Sequence, residues 1–133
     1  MTLVLETRHS VTDSESVLVP LYRLAHGRTG DKGNRSNISV IAYRAEYYSV
    51  LVAEVTEARV AQVFAHRRPT RVTRYLLPKL HAMNFVIDDV LDGGVNSALN
   101  LDTHGKALAF LLLDMTVTLP RNLESLLPPL RKP

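Results

Sequence analysis

Along 133 residues the hydrophobic spacing changes period several times, and this alternation restricts the fold more than any other feature. From Val19, Leu21, Arg23 and Ala25 alternate with Tyr22, Leu24 and His26, the period-2 pattern of a strand that ends in the glycine-bearing stretch starting at Gly27. Asn37 to Tyr43 repeats the pattern, with Ile38, Val40 and Ala42 on one face. Arg28 to Ser36, between the two strands, reads as a loop by composition. Then the period lengthens. Thr56 is a capable N-cap, and Val60, Val63, Phe64 and Arg67 follow at helical spacing, which predicts a helix over Glu57 to His66, closed by Pro69. Tyr47 to Ala53 fits either a helical turn or a short strand. Val72 to Leu77 is a strand ended by Pro78, and Asn84 to Ile87 is a strand or the entry to a short helix. Asp102 opens an apolar run of helical length to Leu113, and Met115 to Leu119, with β-branched Thr116, Val117 and Thr118, reads as a last strand. Elements alternating this irregularly, in a chain too short for a doubly wound sheet, predict an α+β fold with helices packed on one face of a mainly antiparallel sheet. A ferredoxin-like βαββαβ arrangement is the most economical version. The organisation expected is a loose extension over 1–18, one domain over 19–120 and a tail over 121–133.

Composition excludes several functions. There is no cysteine, which removes disulfides, zinc-thiolate sites, iron–sulfur clusters and thiol nucleophiles together. Hydrophobic residues make up 46% and charged ones 22%, the balance of a chain that buries a core without staples. The apolar run from Ala107 to Leu113 is far short of the roughly 20 residues of a membrane span, and acidic residues fall where a signal peptide needs a basic start. No membrane role is expected, and a cytoplasmic location is the default. The formal charge is +3, and the basic residues are twelve Arg and four Lys, a bias toward planar recognition of carboxylate and phosphate. His66, Arg67, Arg68, Arg71 and Arg74 cluster, but they follow a predicted helix whose C-terminus attracts cations, and no aromatic residue interleaves before Tyr75. Nucleic acid is therefore not expected as a partner.

Two segments carry residues suited to chemistry. The first, from Arg28 to Asn37, combines Arg28, Asp31 and Lys32 with Gly30 and Gly33, and such glycines let backbone amides cup an anion. It is not a P-loop, because Lys32 is followed by Gly33 instead of Ser or Thr. Equally, Asp31 could cap a tight turn with no ligand at all. The second is Asp102-Thr103-His104-Gly105-Lys106 at a predicted helix start, where free amides attract an anion unless Asp102 caps them itself. His26, Asp31 and Asp102 are the candidates for acid/base work, although nothing supplies a nucleophile in a known local motif. The five histidines never come as a close pair, so no metal site is expected.

The run Leu24-Ala25-His26-Gly27-Arg28-Thr29-Gly30-Asp31-Lys32-Gly33, followed by Asn37 to Ala42, resembles the C-terminal domain of the acyclic terpene utilisation (AtuA) family. The likeness returns in Arg74-Tyr75 with Pro78, in Ala82-Met83-Asn84-Phe85, in Leu91-Asp92-Gly93-Gly94 and in Leu99 to Lys106, spanning about Val19 to Leu119. Gly27 stands where an alanine is expected, Asn34 where an aspartate is usual and Asn100 where a basic residue is common. The resemblance implies a ferredoxin-like α+β fold. It also implies one site half from Arg28, Gly30, Asp31, Lys32, Gly33 and Asn37, and another from Asn84, Gly93, Gly94, Asp102, Gly105 and Lys106. Arg28, Lys32 and Lys106 would then hold a carboxylate, phosphate or CoA-type anion, oriented by Asp31 and Asp102.

In larger family members this domain follows a bigger N-terminal domain, so the resemblance implies a partner that supplies one. The expected function is an accessory or binding domain recognising an anionic acyl compound in terpenoid or branched-chain catabolism. No resident cofactor is expected, and a CoA-type ligand is one possibility. The alternatives are a small hydratase, isomerase or lyase acting on a CoA or carboxylate substrate, and a structural module that forms a homo-oligomer.

Overall fold

The computed structural model describes residues 15–32, 35–88 and 108–129. Strands β1 (Ser16–Pro20), β2 (Ala25–Lys32), β3 (Arg35–Ala42), β4 (Arg71–Leu77), β5 (Ala82–Asp88) and β6 (Thr116–Pro120) form two antiparallel sheets. The larger has the order β2-β3-β5-β4, and the smaller joins β1 to β6. Helices α1 (Tyr48–Glu54) and α2 (Glu57–Val63) link β3 to β4, and helical α3 covers residues 108–113 before β6. A single turn, α4 (Arg121–Glu124), follows β6.

This is the α+β, ferredoxin-like fold. β3 and β4 are parallel with β5 between them, so β3, the two helices and β4 make a split βαβ unit. One feature differs from a simple βαββαβ sheet. The edge beside β3 is taken by β2, and the last strand β6 pairs with β1 in the separate ribbon.

One sheet face is the core. Ser36, Ile38 and Val40 on β3 alternate with more exposed neighbours, and Met83, Phe85 and Ile87 on β5 lie opposite them, all buried. Leu51 and Val55 on and after α1, Val60 and Phe64 on and after α2, and Leu108 and Leu112 of α3 complete the same cluster. Thr56 caps α2 as its sequence predicts, its hydroxyl accepting from the Arg59 amide at 3.2 Å. Beyond α2 the chain tightens into a 3-10 turn over Ala65–Arg67 and leaves it at Arg68 with φ 53°.

The structure corrects the sequence reading in three places. The strand expected from Val19 through His26 is broken by a 3-10 turn at Leu21–Arg23. Pro20 ends β1, the Leu21 amide turns to the Met115 carbonyl at 2.8 Å, and Leu21 and Leu24, three apart, are both buried. Spacing of three was hidden under an apparent spacing of two. Second, the loop expected over Arg28 to Ser36 is mostly two paired strands, with register from Ala25↔Ala42 to Lys32↔Arg35. Its polar residues alternate with inward-facing Gly27 and Thr29, opposite Val40 and Ile38, and a strand with one wet face has a loop's composition. Third, the extension expected over 1–18 loses Ser16, Val17 and Leu18 to β1, which pairs with Thr118, Leu119 and Pro120, and the tail expected from 121 begins with α4. Tyr47 to Ala53, left open between helix and strand, is mostly α1, and Asn84 to Ile87 lies within β5.

Candidate site on the outer face of the sheet

The opposite face of the four-stranded sheet is built by register. Antiparallel partners directly across from one another share a face, so the pairs His26↔Ile41, Arg28↔Ser39 and Gly30↔Asn37 project away from the core. Carrying the register through β5 and β4 places Asn84 and Tyr75 in the row of Arg28 and Ser39. Val86 and Thr73 extend the row of Gly30 and Asn37. Four residues expected from sequence as ligand-binding, Arg28, Gly30, Asn37 and Asn84, thus meet on one surface from three strands.

The charges on this face are unequally committed. Arg35 is tied to Asp88, Nε to Oδ1 at 2.6 Å, with Arg71 opposite Asp88 in the register. Ser39 donates to the Asn84 side-chain oxygen at 3.2 Å, which leaves the Asn84 amide nitrogen as a donor. Arg28 is exposed and has no hydrogen-bond or ion-pair partner among the described residues. Tyr75, 54% exposed, completes the row with an aromatic surface.

Gly30 is informative because nothing within the described chain requires it. Its backbone lies outside the left-handed region, and an added Cβ would meet no described atom within 4 Å. A glycine within a strand weakens it, and often marks close approach of another backbone or a ligand. Gly27, by contrast, has an internal reason: a Cβ there would come 3.3 Å from the Ser39 carbonyl and 3.6 Å from Leu113 of α3.

Asp31 and Lys32 close β2 opposite Ser36 and Arg35. Their side chains, and all of Gly33, Gly93, Gly94, Asp102, Gly105 and Lys106, lie outside the described residues. His26 sits at one end of the face with its ring 5.3 Å from that of Tyr43. Ser39 and Tyr75 were missed as site residues. The period-2 alternation of Asn37 and Ser39 in a strand was the signal for the first, and Tyr75 follows only from the pairing of β4 with β5.

The arginine cluster does not form one surface. Arg74 points to the core side, donating from Nη1 to the carbonyls of Val52 and Val55, both at 2.8 Å, while Arg71 lies on the outer face. Among the described residues no group of three or more His, Asp or Glu could hold a metal ion, and no helix is long and apolar enough to cross a membrane.

Comparison with known families gives one match: the family model for the AtuA ferredoxin-like domain covers residues 19–118. No curated protein and no solved structure matches the chain.

Proposed function

The chain belongs to the AtuA ferredoxin-like domain family, and from that membership we propose that it is a binding domain. It acts with a larger protein of the same family and recognises an anionic acyl compound, a carboxylate or CoA thioester, on the outer sheet face. What supports this is Arg28, unpaired among the described residues, beside the Ser39–Asn84 pair and next to a glycine that no described contact requires. A guanidinium offers two parallel donors to a carboxylate or phosphate, and Gly30 lets the ligand approach the backbone. The same proposal has Lys32 and Lys106 add to the anion site, with Asp31 and Asp102 to orient them.

Thermal unfolding with isovaleryl-CoA tests it, first with the chain alone and then with a larger family protein present. The ligand should raise the melting temperature in at least one of the two. Arg28→Met and Gly30→Ala should each remove most of that rise, with the ligand-free melting temperature unchanged in the first and unchanged or slightly raised in the second. Retention of the rise in both variants, or no rise with either sample, would refute the assignment.

A second reading, a homo-oligomerisation module, draws support from exposed apolar side chains along and after β4. Leu76, Leu77 and Leu80 are 42%, 39% and 66% exposed beside Tyr75. Light scattering that gives a single monomeric mass across micromolar concentrations would overturn it.

A further inference from the structure

Where β2 begins and β3 ends, away from the row that holds Arg28, the surface forms an open cleft of about 650 Å³. Tyr22, Tyr43 and Tyr47 supply aromatic walls, Leu126 with the nearby prolines adds an apolar side, and Arg23 and Arg44 line the same space. This size lies within the ordinary range of small-molecule sites, which pair an apolar lining with a few placed polar groups.

The polar groups here are of three kinds. Arg23 donates from Nη2 to the Pro128 carbonyl at 2.8 Å, which ties the chain after α4 to the cleft and leaves its other guanidinium donors uncommitted to any described residue. Arg44 is half-exposed and its only ion pair among the described residues is with Glu46 at 3.5 Å. Tyr47 is 1% exposed, and its hydroxyl has no hydrogen-bond partner among the described residues. A buried hydroxyl without a partner is costly, so it persists where something else offsets the loss. Burial, the largest cause, raises the Tyr47 pKa, Glu46 acts in the same direction and Arg44 and Arg23 oppose it, so the hydroxyl keeps its proton and remains a donor.

We infer that this cleft is a second binding site, separate from the outer face, for a monocarboxylate with an aromatic or similarly compact apolar body. Among the described residues, the two lining arginines against Glu46, the ion-pair partner of Arg44, leave a single net positive charge, which suits one carboxylate better than a polyphosphate. Arg44 and the spare Arg23 donors meet the carboxylate, the Tyr47 hydroxyl donates to it or to the group beside it, and Tyr22 and Tyr43 flank the apolar body.

The test uses phenylacetate, with neutral phenylacetamide as its charge-free counterpart. The chain has no tryptophan, and three of its five tyrosines line the cleft, so tyrosine emission reports occupancy directly. Phenylacetate should change that emission saturably, with a dissociation constant of about 1 mM or tighter. Phenylacetamide should bind at least about tenfold more weakly. Arg44→Gln, a change at an exposed position, should weaken phenylacetate about tenfold with no change in ligand-free melting temperature. Tyr47→Phe should keep the ligand-free stability, or raise it, while reducing the stabilisation that phenylacetate gives. Absence of saturable binding, equal binding of the amide, or unchanged binding in Arg44→Gln overturns the inference. None of these outcomes bears on Arg28 or the outer face.

Discussion

Replacing Arg74 with methionine isolates how the larger sheet is fastened to its helices. Met keeps the length of the stem and the backbone amide, which donates to Glu57 at 2.7 Å, so that contact with α2 survives. What is lost are the two 2.8 Å bonds from Nη1 to the Val52 and Val55 carbonyls at the C-terminal end of α1. A hydrogen bond to a charged group contributes about 1.5–3 kcal/mol net, and a cation at a helix C-terminus about 0.3–1 kcal/mol. One Nη1 shared between two acceptors gives less than twice the first figure, so the expected loss is about 3 kcal/mol. For a domain between the size classes for which shifts are known, that corresponds to a fall of roughly 10–15 °C in melting temperature. Thermal unfolding by circular dichroism, with Arg71→Met as the comparison, measures it. Arg71 lies on the outer face, where a substitution should stay within about 0.5 kcal/mol. A loss below about 1 kcal/mol for Arg74→Met, or equal losses for the two variants, would show that the guanidinium is not fastening the helix. It would return Arg74 to the surface cluster suggested by sequence.

Two further outcomes follow from single contacts. Thr56→Ala removes the acceptor for the Arg59 amide and should cost about 1 kcal/mol in equilibrium urea unfolding, with an unaltered m-value; a change under 0.3 kcal/mol would mean that water replaces the cap. The raised pKa of Tyr47 means that above its unfolded value, near 10.0, the unfolded chain releases a proton that the folded chain retains. Stability from this group is complete below pH 10 and falls as pH rises beyond it, by at most about 1.4 kcal/mol per pH unit. Melting temperatures between pH 9 and 11 should therefore decline less steeply in Tyr47→Phe than in the unchanged chain, and parallel declines would contradict the burial effect.

Helix α2 was legible because its signals are local. Thr56 as a cap and the spacing of Val60, Val63 and Phe64 specify α2 without reference to anything distant. The strands were less so, since a strand's faces are distinguished only by what covers them. Gly27, Thr29, Ile38 and Val40 turn inward under α3 and the core cluster, whereas Arg28, Gly30, Asn37 and Ser39 turn outward, and a compositional reading of the stretch averages the two into a loop. The same averaging hid Leu21 and Leu24, whose burial depends on the Leu21 amide reaching Met115, ninety-four positions along the chain.

The difference between loop and hairpin matters for the proposed chemistry. Were Arg28, Gly30 and Asn37 on a flexible loop, holding them around an anion would cost ordering entropy at the moment of binding. On paired strands their spacing is set by the register that also packs Ile38 and Val40 into the core, so the entropy was spent in folding. A preorganised face of this kind gives up less affinity to ordering, and it is rigid enough for one substitution at Gly30 to block approach without disturbing the sheet. If the proposed family partner docks on this same face, Gly30→Ala should weaken ligand binding and partner binding together, whereas two independent surfaces would let one survive.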